Sequence, residues 1–188
     1  MLSIDRSVLL VIDVQDSFKY GDRWARRNNP NFENNLTAFV AAYREARLPV
    51  IYFLHSDTDE AFSTDSPYYK LMDFLDPLAN EPLLHKTSRN CFTTTDLQRR
   101  LTRLDVRRLV ITGIQTEQCC ETTARVGADL GYDVDFVTDA TLTFPIQREP
   151  GDWSDALPAE AVVERTEFAL RRRFARIATA REILEQTA

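Results

Sequence analysis

The sequence predicts an α/β domain built on a parallel sheet, and three observations carry that reading. Short, continuous apolar runs recur along the chain, stretches of helical periodicity separate them, and the joining loops are short. A run such as Val8-Leu9-Leu10-Val11-Ile12 is apolar at every position, the pattern of a strand buried on both faces. Strands that alternate with helices join as right-handed βαβ units, and those units build a parallel sheet.

The elements follow in chain order. After the first run, residues 35–47 place Leu36, Phe39, Val40 and Tyr43 on one helical face, and Pro49 stops the helix. Pro49-Val50-Ile51-Tyr52-Phe53-Leu54 is the second buried strand, and Leu83-Leu84-His85-Lys86 is a further strand candidate. A helix over 95–104 carries Leu97, Leu101 and Leu104, and Leu109-Val110-Ile111-Thr112 forms the next strand, ended by Gly113. The helix over 117–130 closes at Gly131, a residue suited to a left-handed C-terminal cap. Val134-Asp135-Phe136-Val137, a helix over 162–173, the strand candidate Ala175-Arg176-Ile177-Ala178 and a helix over 179–186 complete the chain.

No repeat, low-complexity stretch or linker interrupts the 188 residues, so they are read as one domain, 1–188. Hydrophobic residues make up 44% and charged residues 28%, which argues against disorder. With 23 Lys and Arg against 29 Asp and Glu, the net charge of −6 offers no footprint for nucleic acid or an anionic membrane. The N-terminal apolar run is too short for a signal peptide, and Asp13 interrupts it. The three cysteines are odd in number and two are adjacent, so free thiols in a reducing, cytoplasmic compartment are expected.

In an open parallel sheet, ligands bind beyond the carboxyl ends of the strands, at the point where the strand order reverses. Asp13, Lys86 and the loop 113–119 all sit at or just past predicted strand ends, so three chemically capable groups can converge there. Cys119 lies at the predicted start of a helix, whose free N–H groups and dipole favour a thiolate. Taken singly, each residue also has a plain structural reading. Cys119 and Cys120 read as small buried hydrophobes, Asp13 as a turn or cap residue, and Lys86 as a solvated strand end.

Order and surroundings change that balance. Val11-Ile12-Asp13-Val14-Gln15-Asp16-Ser17-Phe18 resembles the D-x-Q-x-x-F opening of the isochorismatase-like cysteine hydrolases. Lys86, with Phe92 and then Thr95-Asp96-Leu97, is similar to that family's lysine segment. Gly113-Ile114-Gln115-Thr116-Glu117-Gln118-Cys119-Cys120-Glu121-Thr122-Thr123-Ala124 resembles its nucleophile motif, and Gly131-Tyr132 with Val137-Thr138-Asp139-Ala140 fits the strand that follows. The resemblance covers nearly the whole chain.

The resemblance implies a doubly wound, three-layer sandwich around six parallel strands, and a homo-oligomer (dimer or tetramer). It also implies a triad of Cys119 as nucleophile, Asp13 as proton acceptor and donor, and Lys86 as activator. The activity implied is hydrolysis of a small amide, ureido or carbamoyl compound through a Cys119 thioester. By the same resemblance, a cis peptide at Ile114–Gln115 turns the Gln115 N–H toward the oxyanion beside the Cys119 N–H. Phe18, Phe92 and Ile114 are the expected substrate-binding residues. Cys91 and Cys120 fall where the family carries small residues and read as core. Trp24 reads as packing. Arg23, Arg26 and Arg27 could hold a substrate carboxylate but read first as a solvated charge run.

No cofactor is expected. Family members that act on nicotinamide carry a D-x-H metal cluster, whereas this chain has only His55 and His85, with Asp57 and Asp59 near the first. His55 reads as a hydrogen-bonding loop residue, and no metal site follows. Two other readings stay open: a vinyl ether hydrolase, which needs an acid but no nucleophile, and a non-catalytic binding protein on the same fold.

Overall fold

The structure is a computed structural model that describes residues 4–186; residues 1–3 and 187–188 lie outside it. Its strands are β1 (Ser7–Ile12), β2 (Val50–His55), β3 (Leu83–Lys86), β4 (Arg108–Ile114), β5 (Asp133–Leu142) and β6 (Arg176–Ala178). They pair in parallel throughout, in the order β3-β2-β1-β4-β5-β6. The helices are α1 (Phe32–Glu45), α2 (Leu97–Arg103), α3 (Glu121–Asp129), α4 (Ala159–Leu170) and α5 (Ala180–Leu184).

Two cores flank the sheet, one on each face, as strand alternation requires. Leu9 and Val11 of β1 point to the side of α1 and α5, where Leu36, Phe39, Tyr43 and Ile183 cover them. Val8, Leu10 and Ile12 point the other way, against Leu97 and Leu101 of α2, Ala124 of α3 and Leu170 of α4. Each such side chain taken from water contributes roughly 1.5–3 kcal/mol, which is what holds the three layers together. This is the doubly wound sandwich expected, and the strand order reverses between β1 and β4.

The differences from the sequence reading have local causes. α1 starts at Phe32, immediately after Pro30 and Asn31, and ends at Glu45 because Arg47 takes a positive φ of 56°. α4 starts earlier than expected, directly after Pro158, and stops at Leu170 because Arg172 turns left-handed at φ 63°. β5 runs on past Val137 to Leu142, pairing Thr141 and Leu142 with Gly113 and Ile114. The polar residues Thr138 and Asp139 hide that extension from a search for apolar runs.

Gly113 does not end β4; it lets β4 pass β1 closely at the site end of the sheet. Its φ is 119°, and a Cβ there would lie 2.0 Å from the Ile12 carbonyl oxygen. Gly131, with φ 89°, closes α3 with nothing within 4 Å of such a Cβ. Gly113→Ala is expected to cost about 3 kcal/mol or more, since it adds a backbone clash to an unfavourable φ. Gly131→Ala is expected to cost only about 1 kcal/mol. Urea midpoints of the two variants measure the contrast, and equal losses would show that the close β1–β4 approach is not obligatory.

Candidate active site

Three strand ends supply the site. Asp13 follows β1 with φ 52°, its N–H donating to the Phe53 carbonyl at 3.1 Å, and its carboxylate is fully buried. Gln15 locks this corner in place. Its side-chain amide donates to the His55 carbonyl at 3.1 Å and accepts from the His55 N–H at 2.8 Å. Lys86 ends β3 and His55 ends β2, side by side in register. The alternation along β3 turns Lys86 inward and leaves His85 exposed, bonded to the Tyr69 hydroxyl at 2.9 Å. Cys119 sits in a π-helical turn, Thr116–Cys120, that follows β4; α3 itself begins two residues later than Cys119.

These residues converge. Lys86 Nζ lies 2.8 Å from Asp13 Oδ2 and donates to Cys119 Sγ at 3.4 Å, with further bonds to the Ser88 and Arg89 carbonyls at 3.2 and 3.4 Å. The Asp13–Lys86 contact is a charge contact without hydrogen-bond geometry, and Asp13 Oδ1 has no hydrogen-bond partner. Both side chains of the pair are at most 1% exposed. A buried carboxylate and a buried ammonium tolerate removal from water only in each other's company.

The electrostatics divide the roles. Burial alone would pull the Lys86 pKa down, but the Asp13 charge beside it holds it well above the usual lysine range. Cys119 is pushed well above the ordinary thiol range by burial first and by the Asp13 charge second, with Lys86 opposing. At rest the site therefore holds an ion pair and a neutral thiol. Burial and then the Lys86 charge push His55 below the usual histidine range, so its ring is neutral at pH 7.

Asp13, His55 and Cys119 face a cavity of about 180 Å³, with Lys86 buried behind them, and Phe18, Phe62, Gln115, Gln118, Asp57, Asp59 and two arginines, Arg23 and Arg89, line the rest. Phe18 thus stands where a substrate-binding residue was expected. Phe92 and Ile114 do not. Phe92 packs in the α2–α3 core beside Tyr132, ring centroids 6.1 Å apart, and Ile114 is buried in the opposite core. Cys120 points into the core, its thiol 3.8 Å from the Thr112 carbonyl, and Cys91 is fully buried, its pKa pushed up to about 12 by burial.

Of the arginine run, only Arg23 reaches the cavity. Arg26 pairs with Asp22 and lies over Trp153, while Arg27 covers Trp24. Trp24 packs half-buried near Phe144 and not on the cavity. His55 is the last residue of a buried strand, not a loop residue. Arg89, three residues past Lys86, approaches His55 Nε2 at 2.5 Å and Asp57 at 3.5 Å. Its only sequence signal was that proximity to Lys86.

Gln115 opens the π turn. The Ile114–Gln115 peptide is cis, and the Gln115 carbonyl accepts the Gln118 and Cys120 N–H groups at 3.2 Å each. Its side-chain oxygen accepts from Arg23 at 2.8 Å while its amide donates to Glu117 at 3.2 Å. The residues near His55 do not fit a metal ion. Among the described residues no three His, Cys, Asp or Glu side chains group for one. His55 Nδ1 faces the Lys86 ammonium, and its Nε2 faces both Arg89 and, at 3.3 Å, Asp57 Oδ2, so a cation already stands against each ring nitrogen.

The isochorismatase-domain family model matches residues 7–175. The chain belongs to the isochorismatase family. It is 30% identical over 155 residues to the uncharacterized isochorismatase family protein YrdC of Bacillus subtilis, covering 81% of this chain and 82% of that one. Nicotinamidase 3 of Arabidopsis thaliana is 31% identical over 156 residues, 73% of this chain and 74% of its own. In structure, a putative isochorismatase-family hydrolase from Chromobacterium violaceum superposes with a TM-score of 0.87 at 24% identity, across 96% of this chain and 93% of the other.

The opposed influences on Cys119 give a signed test. Removing the Asp13 charge with Asp13→Asn is expected to lower the pH at which Cys119 is alkylated, and Lys86→Ala to raise it. Iodoacetamide rates against pH, read on the Cys119 peptide, measure both. Identical profiles in the two variants would sever the thiol from the ion pair.

Proposed function

We propose that the chain is a cysteine hydrolase cleaving the C–N bond of a small amide-type compound, with Cys119 as nucleophile. The observation that carries this reading is the position of Lys86 Nζ between Asp13 and the Cys119 sulfur, 2.8 and 3.4 Å away, behind a cavity that Asp13 and Cys119 line. Membership of the isochorismatase family supports hydrolysis, and a relative named nicotinamidase supports an amide substrate.

The chemistry follows from the charges. The Cys119 thiol gives its proton to Asp13 as sulfur bonds to the substrate carbonyl carbon. Negative charge leaves the carboxylate and passes through sulfur to the carbonyl oxygen, so the buried site keeps the same net charge throughout. The carbonyl oxygen becomes an oxyanion received by the Gln115 and Cys119 N–H groups. Asp13 returns its proton to the leaving nitrogen as the C–N bond breaks, leaving a thioester. Water, with Asp13 accepting its proton, then releases the acid and restores the thiol. A vinyl ether hydrolase would need no such sulfur, so a cysteine held against Lys86 favours amide chemistry.

Cys119→Ala is expected to abolish ammonia release from a panel of small amides, while Cys120→Ala, in the core, keeps most of it. Asp13→Asn is expected to lower turnover at least about a hundredfold, the usual scale of general acid–base steps. Activity in Cys119→Ala, or loss confined to Cys120→Ala, would overturn the assignment. Dialysis against a chelator is expected to leave activity unchanged. Loss restored by added zinc would contradict that expectation and point to a metal-dependent relative.

A further inference from the structure

We infer that the substrate carries a carboxylate beyond its scissile carbonyl and that Arg23 is the residue that receives it. The inference rests on the hydrolase reading above only for which bond is broken; the anion site stands on its own observations. Arg23 lines the same cavity as Cys119. Its guanidinium lies over the Phe18 and Phe144 rings, 5.1 and 4.7 Å from their centroids, and donates to Gln115 Oε1 at 2.8 Å. Two aromatic faces and one hydrogen bond fix its orientation, yet no carboxylate among the described residues forms an ion pair with it.

That sets Arg23 apart from the other two cations at the site. Lys86 is matched by Asp13. Arg89 is half exposed and is matched by Asp57, which also accepts from the Asp59 N–H. Asp59 accepts the Ala61 N–H at 3.0 Å, capping a short turn. Asp59 and Glu117 reach Arg23 only through space, and Glu117 is taken up by the Gln115 amide and the Thr143 hydroxyl. A partly desolvated guanidinium with donors to spare is a receptor for a planar anion, and arginine offers a carboxylate two parallel hydrogen bonds.

The cavity limits the rest of the molecule. At about 180 Å³ it falls below the roughly 300–1,000 Å³ of pockets for drug-sized ligands. An amide at Cys119 and an anion at Arg23 then fit a compound as short as the half-amide of a small dicarboxylic acid. Gln115 links the two ends, since its side chain holds Arg23 and its backbone opens the turn that carries Cys119.

The test separates this inference from the catalytic one. Malonamate, succinamate and glutaramate, each beside its uncharged diamide, are titrated by calorimetry into full-length Cys119→Ala protein, with and without Arg23→Gln. At least one half-amide is expected to bind about tenfold to a hundredfold more tightly than its diamide. Arg23→Gln is expected to erase that preference, and Arg23→Lys, which keeps the charge but loses the planar fork, to retain part of it. Equal binding of half-amides and diamides, or a preference that survives Arg23→Gln, would overturn the inference. Ammonia release by the protein with Cys119 intact is read in parallel. Amide hydrolysis without an anion preference removes Arg23 and spares the catalytic reading; an anion preference without hydrolysis of any amide does the reverse.

Discussion

A carboxylate and an ammonium buried side by side cost several kcal/mol each to bring out of water, and losing either partner typically costs about 3–5 kcal/mol more. The Asp13–Lys86 pair, 2.8 Å apart and closed to solvent, is therefore a constraint that much of the molecule serves. It requires the ends of β1 and β3 to be level across the intervening β2, which the register of His55 beside Lys86 provides. It requires the chain to turn immediately after β1, which the positive φ of Asp13 and the two Gln15 bonds to His55 secure. It also requires β4 to pass β1 closely enough to deliver Cys119, which only a residue without a Cβ at position 113 permits.

The same pair sets the chemistry. A thiol buried next to a carboxylate resists ionisation, and Cys119 is held well above the ordinary thiol range by burial and by Asp13. In the proposed reaction this keeps the Cys119 sulfur uncharged until a carbonyl arrives. Proton transfer to Asp13 in that reaction removes one negative charge from the carboxylate as one forms on the substrate oxygen. No net charge is created in a region that excludes water, so little reorganisation is needed at the moment of reaction.

The sheet and the convergence of Asp13, Lys86 and Cys119 were legible in the sequence for physical reasons. Buried parallel strands are apolar throughout, and a charged residue at the end of such a run, as with Asp13 after Ile12, is conspicuous. The pocket walls were not. Phe92 follows Lys86 closely, yet the chain turns through Ser88-Arg89-Asn90, which sends the ring into the α2–α3 core. Ile114 ends β4 with its side chain packed in a core, whereas Gln115, the next residue, already belongs to the turn that faces the cavity. Arg23 opens a four-residue 3-10 turn and Arg89 lies in a loop, segments too short or irregular for periodicity to fix direction. Only the aromatic platform of Phe18 and Phe144, residues 126 positions apart in sequence (144 − 18), reveals that Arg23 turns inward while Arg26 and Arg27 turn out.

The central claim is that a substrate acyl group passes through a thioester on Cys119. The direct measurement is acid quenching of the protein during turnover of an amide, followed by proteolysis and mass analysis of the Cys119 peptide. This peptide is expected to gain the mass of the acyl group without its nitrogen, and hydroxylamine is expected to remove the addition. Sustained ammonia release with Cys119 unmodified, and equal turnover after Cys119 has been blocked by alkylation, would contradict it.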